Sequence, residues 1–194
     1  MALHTLSVLV ENSPGVLARV ASLFSRRGYN IDSLAVGPTE NPTISRMTIV
    51  LNLEGHALDQ VSAQLFKLVN VIGIAEMREE SSLQKELLLV KVSRGADIEK
   101  VLAQYGAKIS DQSSDTVTIE AVGNKSELES LLSALSKFGI KELVQSGLIA
   151  LEHGSATLAD RTLNTSGIAI SDPESATADR SEEHTSELQS RFGI

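Results

Sequence analysis

Apolar and polar residues follow two different spacings over the first 77 positions of the chain. Residues 14–27 and 58–69 carry apolar side chains every three or four positions, which is the pattern of amphipathic helices. The other apolar stretches are short runs typical of β-strands, and they lie at 4–11, 30–37, 44–53 and 71–77. The predicted order βαββαβ is that of a ferredoxin-like sandwich.

The same order recurs in the second half of the chain. Strands are predicted at 83–92, 109–111, 116–122 and 140–151, and helices at 97–105 and 126–138. The polar residues 78–82 separate the two halves. We therefore predict an α+β protein made of two tandem ferredoxin-like domains, at 1–78 and 83–152.

Residues 153–194 have a different character. They are polar, small and acidic and have almost no periodicity, which predicts a disordered C-terminal tail. Within this tail, residues 180–194 resemble the translation of a sequencing-library adapter, which favours an artefact that was never selected for function. A genuine disordered tail is the alternative.

Composition and charge narrow the possible functions. The chain has 194 residues, a net charge of −8, no cysteine and only 3% aromatic residues. The lack of cysteine excludes a disulfide framework, and an acidic chain with few rings is poorly suited to nucleic acid. The sequence shows neither a signal peptide nor a membrane-spanning run, so we expect a cytoplasmic protein without membrane contact. It also shows neither metal-ligand spacing nor a glycine-rich phosphate loop, so we expect no catalytic residue and no metal site.

The stretch that joins the first strand to the first helix carries the most chemical information. We predict Ser13 as the N-cap and Pro14 as the first helical residue, with Gly28 ending the helix. The unpaired N–H groups at a helix N-terminus suit a carboxylate or a phosphate. Asn12 can both donate and accept hydrogen bonds, and Gly15 allows a ligand to approach the backbone. The loop either holds a small amino acid by its carboxylate and amine or is a structural turn without a ligand.

A second loop, at residues 93–97, also enters a helix beside a glycine. It fits either an anion site or a plain turn with Asp97 as the N-cap.

Several segments together resemble a known family. They are residues 7–20, which contain the run NSPGVLARV, and residues 23–34, 45–49, 64–69, 86–92 and 147–151. These segments are similar to the small, regulatory subunit of acetolactate synthase (acetohydroxyacid synthase). The resemblance extends to about residue 152, and its motifs are more specific in the first domain than in the second.

The resemblance implies a function as well as a fold. Residues 1–78 are expected to form an ACT domain that binds an amino-acid effector and dimerises, and residues 83–152 a related domain. Valine, a branched-chain amino acid, is expected at the homodimer interface, and a separate large catalytic subunit is the expected partner. That subunit, a transferase, is expected to hold thiamine diphosphate, FAD and Mg, whereas this chain is expected to bind no cofactor and to be non-catalytic by itself.

The implied role is to activate the catalytic subunit and to confer feedback inhibition by valine in branched-chain amino-acid biosynthesis. The alternative is a stand-alone ACT regulator of another metabolic enzyme.

The resemblance also assigns site residues. The effector loop of the family corresponds to Asn12, Pro14, Gly15, Val16 and Leu17, and the segment that meets the effector from the facing protomer corresponds to Asn30 and Ile31. Arg46 is family-typical too, and two roles are open for it: contact with the catalytic subunit or pairing on the sheet.

Overall fold

The computed structural model describes residues 2–54 and 57–160, which form two antiparallel sheets with helices packed on one face of each. The elements of the first unit are β1 (Ala2–Glu11), α1 (Val16–Arg26), β2 (Ile31–Pro38), β3 (Ile44–Leu53), α2 (Ala57–Leu65) and β4 (Val71–Glu76). Its strands lie in the order β2-β3-β1-β4. The helices cover the sheet face that carries Leu6, Val8 and Ile49, because these side chains share one core with Val20 and Phe24 of α1.

The second unit repeats this arrangement. Its elements are β5 (Ser82–Ser93), α3 (Ile98–Tyr105), β6 (Lys108–Gln112), β7 (Thr116–Gly123), α4 (Lys125–Leu135) followed by a 3₁₀ turn (Ser136–Phe138), β8 (Ile140–Gln145) and β9 (Ile149–Glu152). The strand order β6-β7-β5-β8 matches that of the first sheet position by position. The prediction of two tandem ferredoxin-like domains is therefore confirmed.

The last predicted strand, 140–151, is divided in two. β8 pairs with the second half of β5, whereas β9 pairs with its first four residues. Between them the chain leaves the second sheet and reaches the first, where the Leu148 N–H donates to Ser33 Oγ at 2.9 Å. A side chain on Gly147 would collide with the backbone of Leu34, so only glycine fits this crossing.

The start of α1 also differs from the prediction. The helix begins at Val16, and its N-cap is Gly15 with φ +84°, whereas Ser13 makes no capping bond. Ser13 as N-cap and Pro14 as first helical residue were therefore wrong. The end of the helix is confirmed, because Gly28 (φ +71°) completes a Schellman motif in which its own N–H and the next one bond back to the last turn.

The structure gives defined positions to the first residues of the predicted disordered tail, 153–160. Residues 153–160 are placed on the face of the first sheet opposite the helices, and Leu158 is only 4% exposed beside Leu9 and Ile44. The prediction for 161–194, including the adapter-like piece, concerns residues outside the described ones. Within the described residues, no helix is long and apolar enough to cross a bilayer.

Candidate functional site

The loop between β1 and α1 is held against the turn between β2 and β3. The Asn12 N–H donates to the Thr43 carbonyl at 2.7 Å, and Asn12 Nδ2 donates to the Pro42 carbonyl at 3.0 Å. Asn12 Oδ1 accepts no bond from the residues that the structure describes. The side chain of Asn12 therefore anchors the loop with its donor and leaves its acceptor available to a ligand.

The N-terminus of α1 is open. No side chain caps it, and within the described parts of the chain no group accepts the N–H of Leu17 or of Ala18. The Val16 N–H reaches the Ser13 carbonyl only at 3.4 Å. Free N–H groups and the positive end of the helix dipole together favour an anion at this position. Pro14 and Gly15 are exposed beside it, so the position is accessible from solvent.

The two apolar residues of the loop have different surroundings. The Val16 side chain is 3% exposed and belongs to the core of the first domain, so only its backbone lies at the site. Leu17 is 43% exposed and presents its side chain to solvent next to the open helix end. Of the two, Leu17 alone offers an apolar surface to a ligand.

A buried amide ties the loop to the rest of the domain. Asn70, 9% exposed, donates through Nδ2 to Glu11 Oε2 at 2.5 Å and accepts through Oδ1 from Arg19 Nη1. Glu11 directly precedes the loop, and the Arg19 N–H donates to the Gly15 carbonyl at 3.0 Å. Asn70 therefore fixes both ends of the loop through these two residues.

Sequence reasoning did not identify this network. Asn70 is 59 positions from Glu11 and 51 from Arg19, so no local pattern connects them. One local signal connected Arg19 with the loop: Arg19 lies four residues after Gly15, so its side chain lies on the face of the helix next to the loop.

Asn30 and Ile31 lie at the other end of the sheet. Ile31 pairs with Leu51, which pairs with His4, whereas the loop follows Glu11. His4 and Glu11 are seven residues apart on β1, and seven residues of extended strand span about 24 Å. Asn30 is exposed and its Nδ2 donates to Asp32 Oδ1 at 2.7 Å. A single chain therefore does not bring the two predicted parts of the site together.

The loop at 93–97 has the features of a plain turn. Asp97 occupies the N-cap position of α3 without a capping bond, and its Oδ1 accepts from Lys100 Nζ at 2.8 Å. A Cβ on Gly95 would meet the Phe138 ring at 2.6 Å, so this glycine is required by packing. Among residues 2–54 and 57–160, no group of three or more His, Asp or Glu side chains is placed to bind a metal ion.

Comparisons with known proteins cover both domains. Residues 6–73 match the family model described as an AHAS small subunit-like ACT domain, and residues 85–154 match the model described as the small subunit of acetolactate synthase.

Individual relatives agree with these models. The chain is 53% identical over 156 residues to the acetolactate synthase small subunit of Mycolicibacterium smegmatis, covering 78% of this chain and 91% of the relative. It is 51% identical over 155 residues to that of Mycobacterium leprae, covering 78% and 92%. The crystal structure of the small subunit from Thermotoga maritima superimposes with a TM-score of 0.75 at 31% identity, over 80% of this chain and all of that one. The chain therefore belongs to the family of acetolactate synthase small subunits.

Proposed function

We propose that this chain activates a separate large catalytic subunit and makes it sensitive to inhibition by valine. The observation that carries the proposal is the open N-terminus of α1, an accessible anion position beside Asn12 and Leu17. The large subunit holds the thiamine diphosphate, FAD and Mg and performs the reaction in the cytoplasm. This chain contributes binding energy and no catalytic group.

The effector site is shared by two copies of the chain. The loop and the Asn30–Ile31 segment are about 24 Å apart within one chain, at opposite ends of β1. A two-fold dimer through the ACT domains places the loop of one copy against Asn30 and Ile31 of the other. Such an interface repeats each contact twice, so two effector sites per dimer are expected.

The chemistry of the loop suits a branched-chain amino acid. Its carboxylate accepts from the free N–H groups of Leu17 and Ala18, and its ammonium group donates to Asn12 Oδ1. The isopropyl group packs on Leu17 and on Ile31 of the second copy. Burying that group is worth about 1.5–3 kcal/mol, whereas one extra methylene discriminates valine from isoleucine only modestly.

Calorimetry on the purified full-length chain tests the effector site. We expect saturable binding of valine at two sites per dimer, weaker or similar binding of leucine and isoleucine, and none of serine. Absence of binding by all four, with and without the large subunit, would contradict the proposal.

The Gly15→Asp variant tests whether the open helix end is the position of the carboxylate. Its own carboxylate would lie at the N-terminus of α1 and compete with the effector. Gly15→Ala is the matched control, because both side chains are strained at φ +84° by about 1–2 kcal/mol while alanine adds no charge. We expect loss of valine binding and of inhibition in Gly15→Asp alone, with activation of the large subunit retained in both. Inhibition by valine that persists in Gly15→Asp would remove this loop from the site.

A further inference from the structure

The first four residues of β5 and the whole of β9 form a two-stranded ribbon between the domains. On its inward side Ser82 and Ala150 are buried, and Gln84 Nε2 donates to the Met77 carbonyl, just after the last strand of the first sheet, at 2.9 Å. Its outward side carries three large aliphatic residues, Leu83, Ile149 and Leu151, which are 52%, 61% and 59% exposed. We call these three residues the apolar patch.

The patch departs from the usual pattern of a solvent-facing strand. A ribbon packed on one side normally alternates apolar and polar residues, with the polar ones outward. Here Leu83 and Leu151 are directly paired across the strands, and Ile149 lies two pairs away on the same face, opposite Lys85. Contiguous exposed aliphatic residues of this kind mark an interaction surface.

Arg46 borders the patch and adds a charge requirement. It lies half-buried on β3 and lines a depression of about 470 Å³ together with the apolar patch, Thr39 and Glu40. Arg46 forms no ion pair with any of the described residues, and Lys85 is already paired with Glu127 at 3.1 Å. Glu40 is exposed at the rim. A partner that covers the patch would bury the Arg46 guanidinium, and a carboxylate on that partner would offset the cost of burying this charge.

The turn between β2 and β3 connects this surface to the effector loop. On one side, Pro42 and Thr43 accept the two hydrogen bonds from Asn12. On the other side, Thr39 and Glu40 line the depression beside Arg46. One short turn therefore contacts both the effector loop and this surface.

We propose that the apolar patch and Arg46 form the surface that docks the large catalytic subunit, through an apolar segment carrying a carboxylate. The inference rests on the proposed function, in which the second copy of this chain is used to complete the effector site. The large subunit remains as the partner that must contact the chain and respond to the effector. Docking beside the turn gives the loop a direct route to it.

Affinity for the purified large subunit of the same organism, measured by surface plasmon resonance, tests the surface. We expect Ile149→Ser to weaken binding at least about tenfold, as for a central apolar contact. Leu143→Ser is the matched control, because Leu143 is an exposed aliphatic residue of β8 (47%) that pairs with Val90 of the core and so lies on the opposite face of the sheet from Ile149. Arg46→Gln is expected to weaken binding similarly and Arg46→Lys less, since lysine keeps the charge without the planar fork.

The valine affinity of each variant, from calorimetry, should equal that of the wild type. Equal large-subunit affinity in Ile149→Ser and wild type would overturn the docking surface while leaving the proposed function intact, as would a loss confined to Leu143→Ser. If sedimentation velocity shows that Ile149→Ser turns the dimer into a smaller species, the docking proposal is overturned, because the patch would then contact a second copy of this chain. A wild-type chain that fails to bind the large subunit would overturn the proposed function as well.

Discussion

At the scale of single residues, the loop depends on a neutral amide that separates two charged groups. The side-chain N–H of Asn70 donates to the Glu11 carboxylate, and its carbonyl oxygen accepts from the Arg19 guanidinium. The Asn70 side chain is buried. An amide can satisfy both neighbours at once, because it is donor and acceptor together. A carboxylate of the same shape cannot.

The Asn70→Asp variant should therefore make valine binding depend on pH. Its carboxylate would face that of Glu11, and Arg19 can neutralise only one of the two, so one carboxyl pKa rises and the pair holds a shared proton at low pH. We expect the valine affinity of this variant to be at least about fivefold weaker at pH 8 than at pH 5, since only the protonated pair keeps the loop in place.

Calorimetry at the two pH values measures this dependence. The wild type, whose amide does not titrate, should bind with similar affinity at both values, and Asn70→Ala should bind weakly at both. Wild-type affinity in Asn70→Asp at pH 8 would show that Asn70 does not position the loop.

At the scale of elements, two helix starts of this chain differ in how their N–H groups are satisfied. α4 is closed by a capping box, in which Asn124 Oδ1 accepts the Glu127 N–H at 2.8 Å and the Glu127 carboxylate accepts the Asn124 N–H at 2.7 Å. The Asn124 N–H, with help from Lys85, holds the pKa of the Glu127 carboxyl below its ordinary value. α1 has no such cap. The contrast fits a helix end that is structural in α4 and free for a ligand in α1.

Replacing the two candidate caps should separate these roles. Asn124→Ala removes the acceptor of the capping box and should lower the free energy of unfolding by about 1 kcal/mol. Ser13→Ala is the matched control, because Ser13 was predicted as a cap but makes no capping bond, and it should leave stability unchanged. Urea denaturation monitored by circular dichroism measures both. An equal loss in Ser13→Ala would mean that Ser13 caps α1 in solution.

Local signals in the sequence were sufficient for most elements and insufficient for the loop. Strand 44–53 was predicted with its observed bounds, and Gly28 was identified as the helix stop, because alternation and a C-terminal glycine act within a few residues. The start of α1 was wrong because the path of the loop is set by bonds from Asn12 to the β2–β3 turn, thirty positions away. The Asn70 network was missed for the same reason.

At the scale of the whole molecule, residues 148–158 connect the second domain to the sheet of the first domain. Leu148 bonds to Ser33 on β2, β9 lies beside the first strand of the second domain, and Leu158 packs against Leu9 and Ile44. Periodicity alone did not reveal this, because Leu158 is the one large aliphatic residue in 153–160 and the segment shows no pattern. The two predicted ferredoxin-like domains were found, but the contacts between them, which include buried Leu148 and Leu158 and the glycine crossing at Gly147, were not predicted.

Two truncations should locate the end of the functional chain. A chain that ends at residue 160 keeps Leu158, so we expect wild-type solubility, stability, valine binding and activation of the large subunit. A chain that ends at residue 153 exposes Leu9 and Ile44, and its free energy of unfolding should fall by about 1.5–3 kcal/mol, the worth of one buried leucine side chain. Leu158→Ser in the full-length chain is the matched variant and should reproduce most of that loss, because it removes the same contact without shortening the chain.

Urea denaturation and sedimentation velocity measure these effects. Loss of assembly in the chain ending at 160 would show that residues 161–194 are required after all, whereas wild-type stability in the chain ending at 153 would show that the Leu158 contact does not hold the domains together.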